Sequence, residues 1–471
     1  MEKTSTNNKF PWLGAAVVYL ISFGVSLTFL NARFWDDWYV NFTLTQSETM
    51  QYWKDMLGFF PTNRFIEVVV LGRNPVAFHL VIFFCFFLSG YLLFKILEHL
   101  PGISYEVNKR IALLFLILPI NSARVSMVTI RLTYSLVLFL AAWLLLVKSR
   151  SKATKYIAIV LFCLSFLAQS LVPFFVLPCL HLFYLEYCVN MKSLRRSVSH
   201  SFIILCIGGI YFAAMRLLDP PPGDRIAYYT PTISGVVRAV LLLAAATYFL
   251  WRSFRGLRAG ERRDFDGVQL VALGSLSIAL GAFAYIASGR LMDISEWILN
   301  FVPRASDWDS RQQLLLGLGF SLIIVGFLQL MPKGVAKRAF MLSLSACMLL
   351  NFIFMRDYLM DWKMQTQVIS SLESASLPAN SKIVMVYQTD AAKKFNARGR
   401  NIRSYEWEAL ISRGMNRKDV SVIYNNRIDC AGDKSQIPDA LMTVDATNSN
   451  MSALLTVNPG AVVTIQEIDP C

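Results

Sequence analysis

Two adjacent carboxylic acids, Asp36 and Asp37, are the residues whose types and spacing best fit acid–base chemistry. Two such groups repel each other and are costly to desolvate, so we expect at least one pKa to be raised. A carboxylate of this kind can take a proton from an acceptor hydroxyl, or hold a metal ion against a phosphate. The alternative is a solvated pair that keeps the preceding helix from sliding into lipid.

The elements around this pair place it at a membrane surface. It follows an apolar run over residues 11–30, which is long enough to cross a bilayer as a helix. Aromatic side chains favour the headgroup level of a bilayer, and aromatic residues frame the pair. These residues, which we predict to line a substrate pocket, are Trp35, Trp38 and Tyr39.

The composition is that of a membrane protein. The chain has 471 residues, of which 55% are hydrophobic, and its mean hydropathy is +0.48. These values are too apolar for an ordinary soluble protein. The formal net charge is +14. The basic residues concentrate in short loops between apolar runs, which argues against nucleic-acid binding.

About eleven apolar runs, bounded by charge or proline, predict a polytopic α-helical membrane protein. The runs are 11–30, 76–97, 110–123, 129–148, 155–170, 171–188, 200–217, 233–252, 267–288, 313–331 and 339–355. The loops rich in lysine and arginine fall on the same side as the N-terminus, which the positive-inside rule assigns to the cytoplasm. The outer loops 31–75, 218–232 and 289–312 therefore face the other side.

We expect two domains, a transmembrane domain over residues 1–355 and a small extracytoplasmic α/β domain over residues 356–471. Helices are expected at 355–374 and at 405–414, the second ending at Gly414. Short apolar runs predict strands at 382–387, 420–424 and 462–465. This domain shows no catalytic triad, phosphate-binding loop or metal signature. We therefore expect it to bind or cap a site that lies elsewhere.

Arginines on the predicted outer loops are candidate ligands for a phosphate, because the guanidinium fork matches phosphate oxygens. They are Arg64, Arg73, Arg124, Arg131 and Arg311. Arginine is also common at such positions as an interfacial anchor. Further candidates for the substrate pocket are His79, Tyr228 and Tyr229. For His79 the alternative is a buried histidine whose polar groups are satisfied by the protein.

The topology resembles that of the GT-C superfamily of membrane glycosyltransferases. The resemblance rests on Asp36 and Asp37 after the first span, on a long first outer loop with interfacial helices expected at 47–59 and 64–71, and on the extracytoplasmic C-terminal domain. Within the superfamily the chain looks most like bacterial enzymes that decorate surface glycans or pilins, such as pilin arabinosyltransferases. The resemblance implies that an acid of the first outer loop is the catalytic base, with Asp36 favoured over Asp37.

The implied reaction moves a sugar from a polyprenyl-phosphate donor to a glycan or pilin acceptor, on the periplasmic side of the bacterial inner membrane. Negative charge develops on the phosphate as the glycosidic bond breaks, and arginines can stabilise it. Some members of the superfamily use a divalent metal ion. No spacing in this sequence demands one, so the cofactor stays open.

Two other functions are compatible with the topology. A transporter or flippase of lipid-linked sugars would place charges in the middle of several spans and often shows internal repeats. The sequence shows no repeat, and its charges cluster at the outer ends of the spans. A non-catalytic envelope assembly protein would tolerate changes in the acid pair but not in the C-terminal domain.

Overall fold

The computed structural model describes most of the helical part of the chain and the secondary structure of the C-terminal part. The described residues are 10–38, 74–148, 151–190, 193–218, 231–255, 265–289, 314–375, 383–396, 400, 402–416, 421–423, 440–447 and 460–467. The helices expected at 47–59 and 64–71 lie outside the described residues, as do most of the predicted outer loops 31–75, 218–232 and 289–312.

Helices dominate the described chain. They are α1 Trp12–Phe23, α2 Asp36–Trp38, α3 Pro75–Glu98, α4 Tyr105–Ile117, α5 Ile130–Lys148, α6 Lys152–Ser165, α7 Leu171–Phe174, α8 Val176–Tyr184, α9 Leu194–Leu218, α10 Ile233–Phe254, α11 Gly267–Ala287, α12 Leu316–Gln329, α13 Lys333–Ser374, α14 Asp390–Lys393 and α15 Ser404–Met415. A 3-10 turn, Gly24–Phe29, extends α1, and a π-helical turn, Leu185–Val189, extends α8.

Eight helical segments of the described chain are long and apolar enough to cross a membrane. They are Trp12–Phe29, Pro75–Glu98, Met127–Lys148, Leu171–Val189, Leu194–Ala214, Ile233–Phe254, Gly267–Ala287 and Lys333–Ser374. Each overlaps a predicted span, so the prediction of a helical multi-pass protein is confirmed at this level. The other three predicted spans overlap α4, α6 and α12, which have 13 or 14 residues. Such helices are about 20 Å long, less than the ~30 Å hydrocarbon core.

Helix α13 is one continuous helix of 42 residues, where the sequence predicts a span and a separate helix after it. At 1.5 Å per residue it is about 63 Å long, roughly twice the thickness of the hydrocarbon core. Its first half exposes apolar side chains such as Leu342 and Leu349. Its second half buries Met364, Val368 and Leu372 against the C-terminal part of the chain. The helix therefore carries the C-terminal part away from the membrane helices.

Helices α11 and α12 pack backbone to backbone through two pairs of glycines. A Cβ atom on Gly274 would lie 2.6 Å from the carbonyl oxygen of Gly319, and one on Gly319 would lie 2.7 Å from that of Gly274. Gly267 and Gly326 form the second pair. The reversed order of the pairs makes the two helices antiparallel. Close contact through small residues is a common way for helices to associate in lipid.

The C-terminal part contains one four-stranded sheet. Its strands are β1 Ile383–Gln388, β2 Ser421–Ile423, β3 Ala440–Thr447 and β4 Gly460–Glu467, in the order β2-β1-β3-β4. Strand β1 is parallel to both neighbours, with Val384 opposite Val422 and Ala440, whereas β3 and β4 are antiparallel. The sequence predicts β1, β2 and β4. It misses the inner strand β3, because polar residues such as Thr443 and Asp445 interrupt its apolar pattern.

Helix α15 ends later than the sequence predicts. Gly414 lies inside the helix, which ends at Asn416 with a left-handed φ of 54°. A Cβ atom on Gly414 would lie 2.5 Å from Cβ of Leu372. This glycine therefore serves the close packing of α15 on α13, and asparagine takes the left-handed position that ends the helix.

Two hydrophobic cores meet near residues 34–38. The first joins the membrane helices and includes Phe34 and Trp35. The second joins the second half of α13 with β1, β2, β3 and α15, and includes Trp38. The short stretch that carries the two aspartates therefore bridges the membrane helices and the C-terminal part.

Candidate active site

The aspartate pair lies on α2, a single turn just after the first membrane helix. Trp35, immediately before it, has a left-handed φ of 52°, which is uncommon for a bulky residue. The N–H of Trp35 donates to Oε2 of Glu406, 3.0 Å away, at the start of α15. The C-terminal part of the chain therefore holds the backbone of this turn in its unusual conformation.

Asp36 is partly exposed, and its two oxygens have different surroundings. The hydroxyl of Tyr405 donates to Oδ1 over 2.8 Å. No residue in the described ranges forms a hydrogen bond with Oδ2. Burial, together with the carboxylates of Asp36 and Glu406, raises the pKa of Tyr405 above its ordinary value, so this phenol stays protonated at neutral pH. Asp36 thus combines one oxygen fixed by Tyr405 with one that has no partner among the described residues.

Asp37 is fully buried and acts as a hydrogen-bond acceptor for two segments. Its Oδ1 accepts from the hydroxyl of Ser126 (2.7 Å) and the N–H of Val128 (3.1 Å), and its Oδ2 accepts from the N–H of Phe34 (3.1 Å). Burial raises the pKa of Asp37 to about 7, while these hydrogen bonds act in the opposite direction. The raised pKa expected for one of the two acids is therefore present, and desolvation is its main cause.

A buried ionic network lies next to Trp35, the residue before the pair. Arg400 donates to both oxygens of Asp361, from Nε over 2.8 Å and from Nη2 over 3.1 Å, and from Nη1 to Oε2 of Glu406 over 2.6 Å. All three side chains are almost fully buried. Burial lowers the pKa of Arg400, but the two carboxylates outweigh it and raise the pKa above its ordinary value. The guanidinium also lies over the rings of Phe34 and Trp35.

The network extends from Asp361 to Trp38, the residue after the pair. Gln365 donates from Nε2 to Oδ1 of Asp361 (2.6 Å), and its Oε1 accepts from Nε1 of Trp38 (2.8 Å). Trp35 and Trp38 are only 2% and 0% exposed. This burial gives no support to the prediction that these two tryptophans line a substrate pocket. They pack in the protein interior and hold the pair, since the C-terminal part covers them.

His79 is a structural residue, contrary to the prediction that it lines the substrate pocket. Its Nδ1 lies 2.7 Å from the carbonyl oxygen of Leu30 and 2.9 Å from that of Pro75. Its Nε2 lies 2.9 Å from the carbonyl oxygen of Val125. All three partners are acceptors, so a neutral ring donates on one side only, either to Val125 or to Leu30 and Pro75. The ring links the end of the first span, the start of α3 and the segment before α5.

Two of the predicted phosphate-binding arginines are described. Arg124 lies over the rings of Phe23 and Phe86, with its Cζ 3.0 Å and 4.9 Å from their centres, and has no carboxylate partner among the described residues. It is two residues from Ser126, which binds Asp37. Arg131 is buried in α5. The other predicted site residues lie outside the described residues, namely Tyr39, Arg64, Arg73, Tyr228, Tyr229 and Arg311.

Sequence reasoning missed the residues of the C-terminal part that contact the pair. They are Asp361, Gln365, Arg400, Tyr405 and Glu406. A signal for the first two was present, because Asp361 and Gln365 fall on the buried stripe of α13 with Tyr358, Val368 and Leu372. Polar residues on an apolar helix stripe require buried partners. No local pattern points to Arg400 or Tyr405.

Comparison with protein-family models, with curated proteins and with solved structures gives no match for this chain. The chemistry of the site is therefore inferred from the contacts of its own residues. Within the described part of the chain, no three histidine, cysteine, aspartate or glutamate side chains lie together as metal ligands would. Asp36 offers a partly exposed carboxylate, and Arg124 offers a guanidinium without a carboxylate partner among the described residues.

Proposed function

We propose that the protein is a membrane glycosyltransferase that moves a sugar from a polyprenyl-phosphate donor to a surface acceptor, either a glycan or a pilin. The observation that carries this proposal is the geometry of Asp36, a partly exposed carboxylate at the end of a membrane helix with one oxygen fixed by Tyr405. A fixed carboxylate with one available oxygen suits general-base chemistry on a hydroxyl.

In the proposed reaction the acceptor hydroxyl gives its proton to Oδ2 of Asp36 while its oxygen bonds to the anomeric carbon of the sugar. The bond between that carbon and the phosphate oxygen breaks, and its electron pair leaves with the polyprenyl phosphate. Negative charge grows on the phosphate oxygens during this step, and a cation nearby stabilises it. Arg124 is suited to this role, since it lies at the same end of the first span and has no carboxylate partner among the described residues.

Asp37 has a different role in this proposal. It is fully buried, and both of its oxygens accept hydrogen bonds. An acceptor hydroxyl would have to displace Ser126 or the backbone of Phe34 to reach it. We therefore assign Asp37 to positioning, where it joins α2 to the segment before α5 that carries Arg124. This separates the roles of two acids that the sequence treats almost alike.

The proposed orientation of the chain in the membrane rests on its basic loops. The basic loops mark the cytoplasmic side, and the site lies at the opposite end of the first span. In a bacterial inner membrane this is the periplasmic side, where the headgroup of a lipid-linked donor meets a surface acceptor. The long outer half of α13 holds the C-terminal part on that side.

The test compares surface products of a deletion strain that is rescued with the wild type, with Asp36→Asn or with Asp390→Asn. Asp390 is the matched control, because its side chain is 92% exposed on α14. We expect Asp36→Asn to lower transfer by about a hundredfold or more, because loss of a general base typically costs that much. The Asp390→Asn variant should transfer at the wild-type rate.

The readouts are the intact mass of the surface pilin and the sugar content of the surface glycan, with membrane abundance followed on a blot. Loss of sugar units in the Asp36→Asn strain at normal abundance supports the transferase and identifies its acceptor. Full modification in that strain would show that Asp36 is not the base and would overturn the proposal.

A further inference from the structure

The C-terminal part of the chain reaches directly into the candidate site through the first turn of α15. Tyr405 donates to Oδ1 of Asp36, and the next residue, Glu406, accepts from the N–H of Trp35, which precedes Asp36. Two successive residues of α15 thus hold two successive residues of the first outer loop. The sequence separation between these partners is about 370 residues.

The start of α15 is itself rigidly held. Glu406 also accepts from Arg400 (2.6 Å) and, through Oε1, from the N–H of Arg403 (3.1 Å). Arg400 in turn is fixed by both oxygens of Asp361 on α13. Because Glu406 is fully buried with these partners, α15 has little freedom to rotate or slide. Tyr405, on the same helical turn, therefore has a defined position relative to Asp36.

We propose that Tyr405 is a positioning residue for Asp36, which makes the C-terminal part a component of the active site and not only a cap over it. This inference rests on the proposed function and deepens it. The hydroxyl of Tyr405 fixes Oδ1, so Oδ2 is the oxygen that takes the proton. A carboxylate free to rotate would present Oδ2 to the acceptor for only part of the time, and accurate placement of catalytic groups supplies a large share of catalysis.

The first arm of the test measures transfer in the rescued deletion strain with Tyr405→Phe, which removes only the hydroxyl. Tyr387→Phe is the matched control, since Tyr387 lies in the same part of the chain on β1 and is 40% exposed. We expect Tyr405→Phe to lower the rate of surface modification by about tenfold or more, as for the loss of a hydrogen bond to a charged group. Tyr387→Phe should leave the rate unchanged.

The second arm needs no substrate. The purified full-length protein is treated with a carbodiimide and glycine ethyl ester, and modified carboxyl groups are quantified by peptide mass spectrometry. We expect labelling of Asp36 to increase several-fold in Tyr405→Phe, because the hydroxyl no longer covers Oδ1. The buried Asp37 and Asp361 should stay unlabelled in both proteins, which reports that the fold is intact, and labelling of the exposed Asp390 should be equal.

The two arms separate the possible failures. If labelling of Asp36 does not change, the contact with Tyr405 is absent and the inference is overturned. If labelling rises but transfer by Tyr405→Phe equals that of the wild type, the contact exists without positioning the base, which also overturns the inference. Failure of the proposed function has a separate signature, namely full transfer by Asp36→Asn, and it leaves the labelling result standing.

Discussion

At the scale of residues, Asp36 and Asp37 have different surroundings although they share one helical turn. Asp36 keeps access to solvent and one oxygen without a partner among the described residues, whereas Asp37 is buried with three hydrogen bonds. The difference arises because the segment before α5 covers one side chain and α15 only borders the other. A proton acceptor needs access to its substrate, so our proposal assigns the role of base to Asp36.

The pKa of Asp37 predicts how stability changes with pH. Burial raises its pKa in the folded state from the ordinary value of 3.8 to about 7. Between about pH 4 and pH 7 the folded protein therefore holds a proton on Asp37 that the unfolded protein has released. The stability that Asp37 contributes is fully present below about pH 4 and is lost as the pH rises through 7. Asp37→Asn mimics the protonated acid and removes this dependence. The wild type should lose about 4 kcal/mol relative to Asp37→Asn between pH 3 and pH 8.

The measurement is chemical or thermal unfolding of the two purified proteins in detergent across this pH range. Only the difference between them is interpreted, since other groups titrate equally in both. A constant difference from pH 3 to pH 8 would show that Asp37 keeps its ordinary pKa in the folded protein.

The network of Asp361, Arg400 and Glu406 explains how the C-terminal part docks. A buried charge without its partner is costly, so these residues stabilise only the arrangement in which all three come together. That arrangement also satisfies the N–H of Trp35, and through Gln365 the indole N–H of Trp38. We infer that the network fixes the position of the C-terminal part on the membrane helices.

At the scale of elements, the contact between α11 and α12 depends on the absence of side chains at the glycine pairs. Gly274→Ala would place a methyl group 2.6 Å from the carbonyl oxygen of Gly319, a backbone atom that cannot move aside without shifting the helix. We expect the two helices to separate and the protein to lose about 1 to 3 kcal/mol of stability, as is usual for overpacked sites.

The matched control is Gly209→Ala on α9, where an added Cβ atom meets no heavy atom within 4 Å. This variant should be neutral or slightly stabilised, because alanine favours a helix over glycine. Thermal unfolding in detergent, followed by tryptophan fluorescence, compares the two variants. Equal unfolding temperatures would mean that α11 and α12 are not in backbone contact.

At the scale of the whole molecule, the number of crossings is tied to the orientation. A cytoplasmic N-terminus with the C-terminal part outside requires an odd number of crossings. The described chain has eight candidate helices of full length, so the proposed orientation requires an odd number of further crossings, for which α4, α6 and α12 are the candidates among the described residues. Helix α12 is the clearest case. It packs antiparallel to the full-length α11 and leads directly into α13.

Reporter fusions test this orientation. Alkaline phosphatase, which is active only outside the cytoplasm, should be active when fused after residue 375 and inactive when fused after residue 190. Green fluorescent protein at the same two positions should give the opposite pattern. The reverse result at residue 375 would place the site of Asp36 on the cytoplasmic side, away from any surface acceptor.

The sequence by itself determined the features that depend on local pattern. Apolar runs of sufficient length predict the eight long helices, and short apolar runs predict β1, β2 and β4, because burial in lipid or in a sheet requires continuous apolar stretches. The position of Asp36 and Asp37 after the first span follows from the same pattern. The polar residues of β3 hide an inner strand from this reasoning.

Only the tertiary structure decided what surrounds the residues of the candidate site. Asp36 and Asp37 have the same local sequence context, and their roles separate through contacts with Tyr405 in one case and Ser126 in the other. Trp35, Trp38 and His79 look like pocket residues in the sequence, but distant segments cover them. These contacts join residues tens to hundreds of positions apart, and they form only when burial, hydrogen bonding and charge are satisfied together across the folded chain.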